Sequence, residues 1–467
     1  KTVTADKFVG NVSSTAEDSR GIVRMNVDIN SGLNDLLIVN SATGVNRLAI
    51  RSLTNSKLER SGALVQVKDP ATAFELSIAE PDEIDSLGQK LVYAGAWSYA
   101  LASEIKAGIT KEWYLLKTGA LSNIGRGIVN TTINPDTWYT EVYTLLNRMG
   151  IYRDGEYSGG FWFEAIANKQ KTDGAFEKQH DQQFRNFTIG WDKMYAKDKG
   201  DLFLGIMGGY GKADRDISNI GDADFKSTHA SLYSIYRTNN GFYATGLIKY
   251  NKYDNDMTMK GKENVTGEWS QNGYGASVQV GKRLDGQKGW YLEPQAQFSW
   301  MRINGESYTT NTGLQVDIDN LDSVRGRFGL IGGRSVILKD NSKLDFYGSL
   351  SLVHEFEGKT DVSIDDDKFS ASDLSGTWGV VGTGFNWNFK PGQYLHGGVS
   401  YATGGKREQP WGAHLGLSIE VGGNGLSTKK QEVASVEDKI ETKVATFAEP
   451  TTEEKAASEF VLQSKTF

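Results

Sequence analysis

The 467-residue chain combines 54 glycines with only 7 prolines, 11% aromatics, no cysteine and a net charge of -7. The missing cysteine excludes a disulfide framework and thiolate chemistry, and the acidic balance argues against a general nucleic-acid binder. A mean hydropathy of -0.44 and the lack of any apolar run near the roughly 20 residues of a spanning helix exclude a helical membrane protein. A membrane β-barrel passes this test, because its strands average an apolar face with a polar one.

In chain order, residues 1–19 carry no clear pattern and are taken as an unassigned passenger remnant. The chain opens at Lys1 without a charged-then-apolar leader, so it reads as a mature or cut fragment whose export signal lay upstream. Residues 20–118 hold short apolar runs, Met25–Ile29, Leu36–Val39, Arg47–Ile50 and Ala63–Val67, separated by Gly, Asn and Ser turns. Such spacing suits stacked β-rungs. The aromatics of Trp97-Ser98-Tyr99 and Trp113-Tyr114 mark a hairpin that closes the stack.

A linker over 119–132 leads to a helix expected over 133–150. Asn134 would cap it, Pro135 suits the first turn, Asp136 favours the positive dipole end and Gly150 would stop it. About 15 helical residues would span roughly 22 Å, close to the apolar band of a barrel. The helix therefore fits a pore, with Pro135, Trp138, Tyr139, Val142, Leu145, Leu146, Arg148 and Met149 as its contact residues. Packing on a soluble domain is the alternative.

Over 151–421, runs of alternating apolar residues are separated by connections of alternating length. Turn sequences such as Thr238-Asn239-Asn240-Gly241 and Lys390-Pro391-Gly392 alternate with mostly longer polar stretches near 169–183, 212–227, 253–271, 304–323 and 355–375. Short turns on one rim and long loops on the other are the topology of an outer-membrane barrel. About twelve strands of 9–11 spanning residues fit, and an even count returns both ends to the periplasm. Trp290, Leu292, Pro294, Ala296, Phe298 and Trp300 would face lipid, opposite Glu293, Gln295, Gln297 and Ser299. Leu344, Phe346, Leu350 and Leu352 similarly oppose Asp345, Tyr347, Ser349 and Ser351. With Glu164 and Asp192, the inward candidates are Glu293, Gln295, Gln297 and Asp345. Trp191, Tyr195, Tyr210, Trp387 and Phe389 suit interfacial girdles. The fold class is thus all-β: a 12-stranded antiparallel transmembrane barrel with an α-helix in its pore, preceded by a short β-helix. Residues 422–467 form a charged tail, disordered or helical, that the topology places in the periplasm.

Tyr291-Leu292-Glu293-Pro294-Gln295-Ala296-Gln297-Phe298, Leu352-Val353-His354-Glu355-Phe356, Tyr401-Ala402-Thr403-Gly404-Gly405-Lys406 and Gln409-Pro410-Trp411-Gly412-Ala413-His414-Leu415-Gly416 together resemble the translocator unit of monomeric autotransporters, the type V secretion proteins. Residues 32–39 through Trp113-Tyr114-Leu115 are similar to the pertactin-like end of the passenger, the autochaperone region. The resemblance implies a Gram-negative outer-membrane translocator that exports and anchors its own N-terminal passenger at the cell surface, with no cofactor. It implies lipid and lipopolysaccharide, the barrel-assembly machinery and periplasmic chaperones as partners of a monomer. The strand with Trp411, Ala413, Leu415, Gly416, Leu417, Ile419 and Val421 would carry the assembly signal, although it ends on Val421 rather than an aromatic. Relatives that cut themselves in the pore use paired Asn, and the matching positions here are Tyr143 and Thr144. Adhesin is the passenger's function by analogy alone.

Little else carries chemistry. His180, His229, His354, His396 and His414 lack ligand spacing, and the glycine-rich pieces lack a following helix and Lys-Ser/Thr. Paired lumen carboxylates, Glu164 with Asp192 foremost, would be the route to backbone cleavage, against their ordinary role of solvating the pore and holding the plug. Two rival functions fit the same residues. A diffusion pore requires an open lumen; a loop-borne enzyme requires convergent groups at the loop rim, where Asp365-Asp366-Asp367 stand without a sequence partner.

Overall fold

The computed structural model describes residues 2–5, 8–9, 22–29, 31, 34–40, 42–51, 58–69, 74–107, 110–132, 135–153, 156–172, 180–217 and 220–421. The expectations for the 422–467 tail, for most of 1–19 and for the Asn134 cap lie outside these residues.

Twelve strands close into one antiparallel barrel: β1 (Gly159–Thr172), β2 (His180–Lys197), β3 (Gly200–Ile217), β4 (Gly221–Thr238), β5 (Phe242–Met259), β6 (Val265–Lys282), β7 (Trp290–Ile303), β8 (Leu321–Ile337), β9 (Lys343–Glu355), β10 (Gly376–Lys390), β11 (Gln393–Gly404) and β12 (Arg407–Glu420). Closure comes from β1 pairing with β12, Gly160 opposite Glu420 and Thr172 opposite Arg407. With no free edge, every strand satisfies its backbone within the wall, the condition for a sheet to exist in hydrocarbon. Phe161, Phe163, Phe187, Ile189, Leu232, Ile248, Val278, Phe298 and Leu350 project outward and are exposed, whereas their neighbours in sequence are buried inside. No helix is long and apolar enough to cross a membrane.

The strands are longer than the 9–11 residues a bilayer requires: β2 to β6 have 18 residues each. Much of what reads in sequence as polar loops at 212–227 and 253–271 is strand. The connections are correspondingly short, with β3 pairing to β4 as far as Ile217 and Gly221. Above the lipid band the apolar side changes face. Lys212, Asp214, Asp222, Lys226, Asp254 and Glu268 point outward, while Ala213, Ile217, Ala223, Phe225, Met257 and Trp269 point inward and are buried. Outside the bilayer water covers the outer wall, so the alternation persists with its polarity reversed; that reversal is what hides the strands from a pattern search tuned to lipid.

The two longest connections fold on themselves. Glu306–Thr309, Gln315–Ile318, Lys359–Ile364 and Asp367–Asp373 form a separate four-stranded sheet over the loop rim. Its Tyr308, Leu314, Val316, Ile318, Val362 and Ile364 join one core with the inward residues of the extended strands.

Before the barrel, Leu36–Val39 pairs in parallel with Val65–Val67, and Ile22–Asn26 and Phe74–Ile78 pair in parallel with Ala42–Arg51. These are stacked rungs around Val27, Ile29, Leu48, Ile50, Leu64 and Val65. The antiparallel hairpin of Trp97–Lys106 and Thr110–Leu121 closes the stack, as the aromatics suggest. Tyr99 and Trp113 enter its core, and Tyr114 lies under the Arg60 guanidinium, 3.7 Å from the ring centre. Trp97 instead reaches the barrel loops. Its indole Nε1 donates to Asp367 at 2.7 Å, and its ring lies 5.6 Å from Phe369.

The segment expected as a linker contains α1 (Asn123–Val129), whose Ser122 Oγ accepts from the Gly125 amide at 3.0 Å. The expected 133–150 helix is broken into α2 (Asp136–Asn147) and α3 (Met149–Arg153). Gly150 does not stop it but lies inside α3, where a Cβ would collide with the Asn386 amide. Its glycine serves close approach to the wall rather than a left-handed cap.

If lipid covers the outer wall, Leu350→Arg in the middle of the apolar band of β9 should cost about 2–4 kcal/mol of folding stability in bilayers. Ser351→Asn, one residue along on the inner face, should cost far less. Denaturant titrations of the barrel refolded into vesicles measure both.

Candidate functional site

The lumen is where the sequence's polar inward residues meet the helix. Large inward side chains on β1 to β5, including Trp162, Phe184, Phe203, Tyr233, Leu247 and Tyr253, form one continuous core with Trp138, Tyr139, Val142, Leu145 and Met149 of the helix. Glycines on the adjoining strands make room for them: Trp162 lies over Gly190, and Tyr233 over Gly205, where a Cβ would overlap the ring. Pro135 holds the N-cap position of α2, and Leu146 is half-buried against an internal cavity.

Three polar clusters fix the helix along its length. At the base, Arg148 is fully buried, with Nη1 3.4 Å from Asp192, 2.6 Å from the Tyr152 hydroxyl and its guanidinium 4.1 Å over Trp162. Asp192 also accepts from the hydroxyls of Tyr152, Tyr157 and Tyr233 at 2.6, 2.9 and 2.7 Å. Next to it Arg153 pairs with Glu293, which accepts from Tyr243 at 2.7 Å. Halfway up, Glu141 of α2 pairs with Lys249 of β5 and accepts from Ser227 at 2.6 Å and Asn251 at 2.6 Å. At the outer end Arg325 bridges Asp136 of α2 and Glu355 of β9, with Arg407 beside both carboxylates and the Tyr139 ring 3.7 Å from the guanidinium carbon.

Each of the six sequence-chosen lumen residues lies inside. Glu164 accepts from Asn147 at 2.7 Å and meets His396 at 3.0 Å, and Asp345 lies 3.7 Å from Arg283. Gln295 accepts from Gln279 at 2.7 Å, and Gln297 donates to Ser277 at 2.9 Å. Glu164 and Asp192 do not share a site. The β1–β2 register sets Asp192 opposite Gly160 and Glu164 opposite Thr188, so the two are roughly 13 Å apart along the strands. Among the described residues no group of three or more His, Cys, Asp or Glu could hold a metal ion. Asp367 has a role that its sequence context does not suggest, receiving Trp97 at the base of the stack.

Sequence reading misses Glu141, Lys249, Arg325, Glu355 and Arg407. Parity was the available signal: Lys249 and Arg325 stand on the inward face of strands whose outward neighbours Ile248, Tyr250 and Val324 face the other way. Along β12, Trp411, Leu415 and Ile419 are exposed, Ala413 and Leu417 half-buried, and Gly416 faces inward against the His396 ring. The strand ends at Glu420, and Val421 adds one backbone bond to Gly159.

The autotransporter β-domain family model matches residues 161–400, and the pertactin family model matches residues 7–117. The chain belongs to the autotransporters. It is 27% identical over 440 residues to the pertactin autotransporter of Bordetella bronchiseptica, covering 85% of this chain and 47% of that protein. It is likewise 27% identical over 406 residues to the BrkA autotransporter of Bordetella pertussis, covering 85% of this chain and 39% of that protein. The crystal structure of the β-domain of the Bordetella autotransporter BrkA superposes with a TM-score of 0.50 at 25% identity, covering 56% of this chain and all of that one. The chain thus spans less than half the length of these curated relatives. Its barrel is an autotransporter translocator in the Gram-negative outer membrane, and the diffusion-pore alternative is not favoured.

The Glu141–Lys249 pair is out of water on both sides. Lys249→Met alone leaves a buried carboxylate unpaired and should loosen the autotransporter helix by about 3–5 kcal/mol. Adding Glu141→Leu should recover most of that loss, because the pair's desolvation cost disappears with it. Denaturant titrations that follow the Trp138 environment measure the cycle.

Proposed function

We propose that this chain is the exporting and anchoring unit of a longer surface protein whose passenger precedes it. One feature of the fold carries the reading: a single polypeptide passes from the stacked rungs through α1, down the lumen as α2 and α3, and into the wall at β1 near the short-turn rim. A chain threaded this way through a closed barrel suits the end state of export, the passenger having crossed as an extended hairpin through or beside the closing pore.

On this reading export needs no nucleotide. The stack buries Val27, Leu48, Ile50, Leu64, Val65 and Trp113 only once its rungs meet outside, so folding makes reversible sliding directional. The barrel-assembly machinery would read β12 from Trp411 to Val421, periplasmic chaperones would hold the chain before insertion, and lipopolysaccharide would cover the outer wall of a monomer. The domain limits follow the same scheme, with the passenger end over 20–118, the lumen helix near 133–150 and the wall to 421. An adhesive passenger is the analogy drawn from the relatives.

Deleting residues 20–118 should leave the barrel inserted while surface display of a fused passenger falls, as read by protease shaving of whole cells; undiminished display would refute the account. The lumen carboxylates act as plug anchors rather than as a cleavage site. Glu164→Gln combined with Asp192→Asn should therefore leave passenger processing unchanged on immunoblots, and stalled processing would assign them catalysis.

A further inference from the structure

The lumen is filled unevenly. On β1 to β5 the inward side chains are aromatic or large aliphatic and press on the helix. On the opposite wall small inward positions, Gly382 on β10, Ser400 and Ala402 on β11 and Gly412 on β12, stand among larger ones such as Tyr347 on β9, Trp378 on β10 and His414 on β12. Between this wall and the helix lies an internal cavity of about 190 Å³. It touches the helix from Asp136 to Arg153, a length of roughly 25 Å at about 1.5 Å per residue, which matches the height of an outer-membrane apolar band.

The charges along this cavity are unequal. Arg153, Lys171, Arg325, Arg327 and Arg407 line it, against Asp136 and Glu408. The carboxylates of Asp136, Glu293 and Glu355 are taken up by Arg153, Arg325 and Arg407. Arg327 stands apart midway along β8. Its Nη2 donates to Ser351 at 3.0 Å, its guanidinium lies 5.3 Å over the Tyr143 ring, and its Nε is buried without a partner. No carboxylate pairs with it among the described residues.

We infer that the plugged barrel retains a narrow water path along the β8–β12 side of the helix, and that Arg327 makes this path selective for small inorganic anions. Arginine rings select anions in pores because a fixed positive charge in a low-dielectric wall lowers the entry barrier for chloride and raises it for potassium. The helix blocks the passage of polypeptide while hydrated ions slip past its open side.

The test is made on the full chain reconstituted in planar bilayers under a potassium chloride gradient. A small steady conductance with a reversal potential of anion sign is expected. Arg327→Glu should move that potential toward the cation sign, and Ser400→Trp, which places an indole on the cavity wall, should abolish the conductance while the purified barrel stays folded on heat-modifiability gels. Removing residues 133–150 should raise the conductance in every variant. A silent intact chain whose helix-deleted form conducts would overturn the side path and leave the plug intact. Cation selectivity, or a reversal potential indifferent to Arg327→Glu, would overturn the role of the arginine.

Discussion

In hydrocarbon no water is available to a backbone amide or carbonyl, so a sheet that enters lipid must close on itself. That constraint fixes the rest of this molecule. Closure through the β1–β12 pairing forces one face of every strand toward lipid and the other toward a lumen too wide for side chains alone to fill. The wall's inward residues, whether polar, aromatic, aliphatic or glycine, then need a partner in the middle. The helix supplies it. Its buried Glu141, Arg148 and Arg153 would be intolerable in a soluble core without counter-charges, yet the wall offers Lys249, Asp192 and Glu293 at matching heights. Buried ion pairs are poor sources of stability but good sources of register. Three clusters spaced along the axis leave the helix one rotation and one depth.

How much of this was legible follows from which solvent each residue meets. Strand number, the alternation on β7 and β9, the hairpin at the end of the stack and a helix near Trp138 follow from patterns that depend on local chain geometry alone. Family resemblance of segments such as Tyr291 to Phe298 sharpened the reading to a translocator. The extended upper strands did not show because their apolar side turns inward where lipid ends, so Phe225 and Met257 sit beside outward Asp224 and Asp256 and the stretch reads as a polar loop. The break at Arg148 did not show either. Helical propensity continues through it; what interrupts α2 is tertiary, the demand that Arg148 reach Asp192 and that Gly150 lie against Asn386. The partners of the helix were hidden for the same reason, since Lys249 and Arg325 acquire meaning only when strand parity and height are combined with the depth of α2.

The reversal of polarity at the outer rim also explains how wall and passenger become one object. Inward residues of the extended strands, among them Ile217, Met257, Met259 and Val265, would face water in a bare barrel mouth. Here they are covered from above by α1 and by the four-stranded loop sheet, in a core that also takes in Ala96 and Leu121 from the stack's last hairpin. Met259 packs against Gly127 and Ile220 within α1's footprint, so closely that a Cβ on Gly127 would strike its sulfur. Lys262 of the β5–β6 connection pairs with Asp82 at 3.4 Å, and Trp97 donates to Asp367 from the other side. The stack therefore rests on a surface that is apolar at its centre and polar at its margin, the same arrangement that holds separate proteins together.

Below the rim the helix is held by ion pairs set within an aromatic and aliphatic core, and above it the stack is held by apolar contact with a polar margin. The lumen lining is mixed: aromatic and aliphatic side chains of β1 to β5 press on the helix, and the ionic clusters among them set its rotation and depth. The wall's ion-pair partners grip a segment that presents Glu141, Arg148 and Arg153 at the right heights. Outside, an apolar seat closes around Trp97 and Leu121 of the last hairpin. The order along the axis, ion pairs within a packed lumen and an apolar seat beyond it, gives the threaded chain one depth and covers the rim above it.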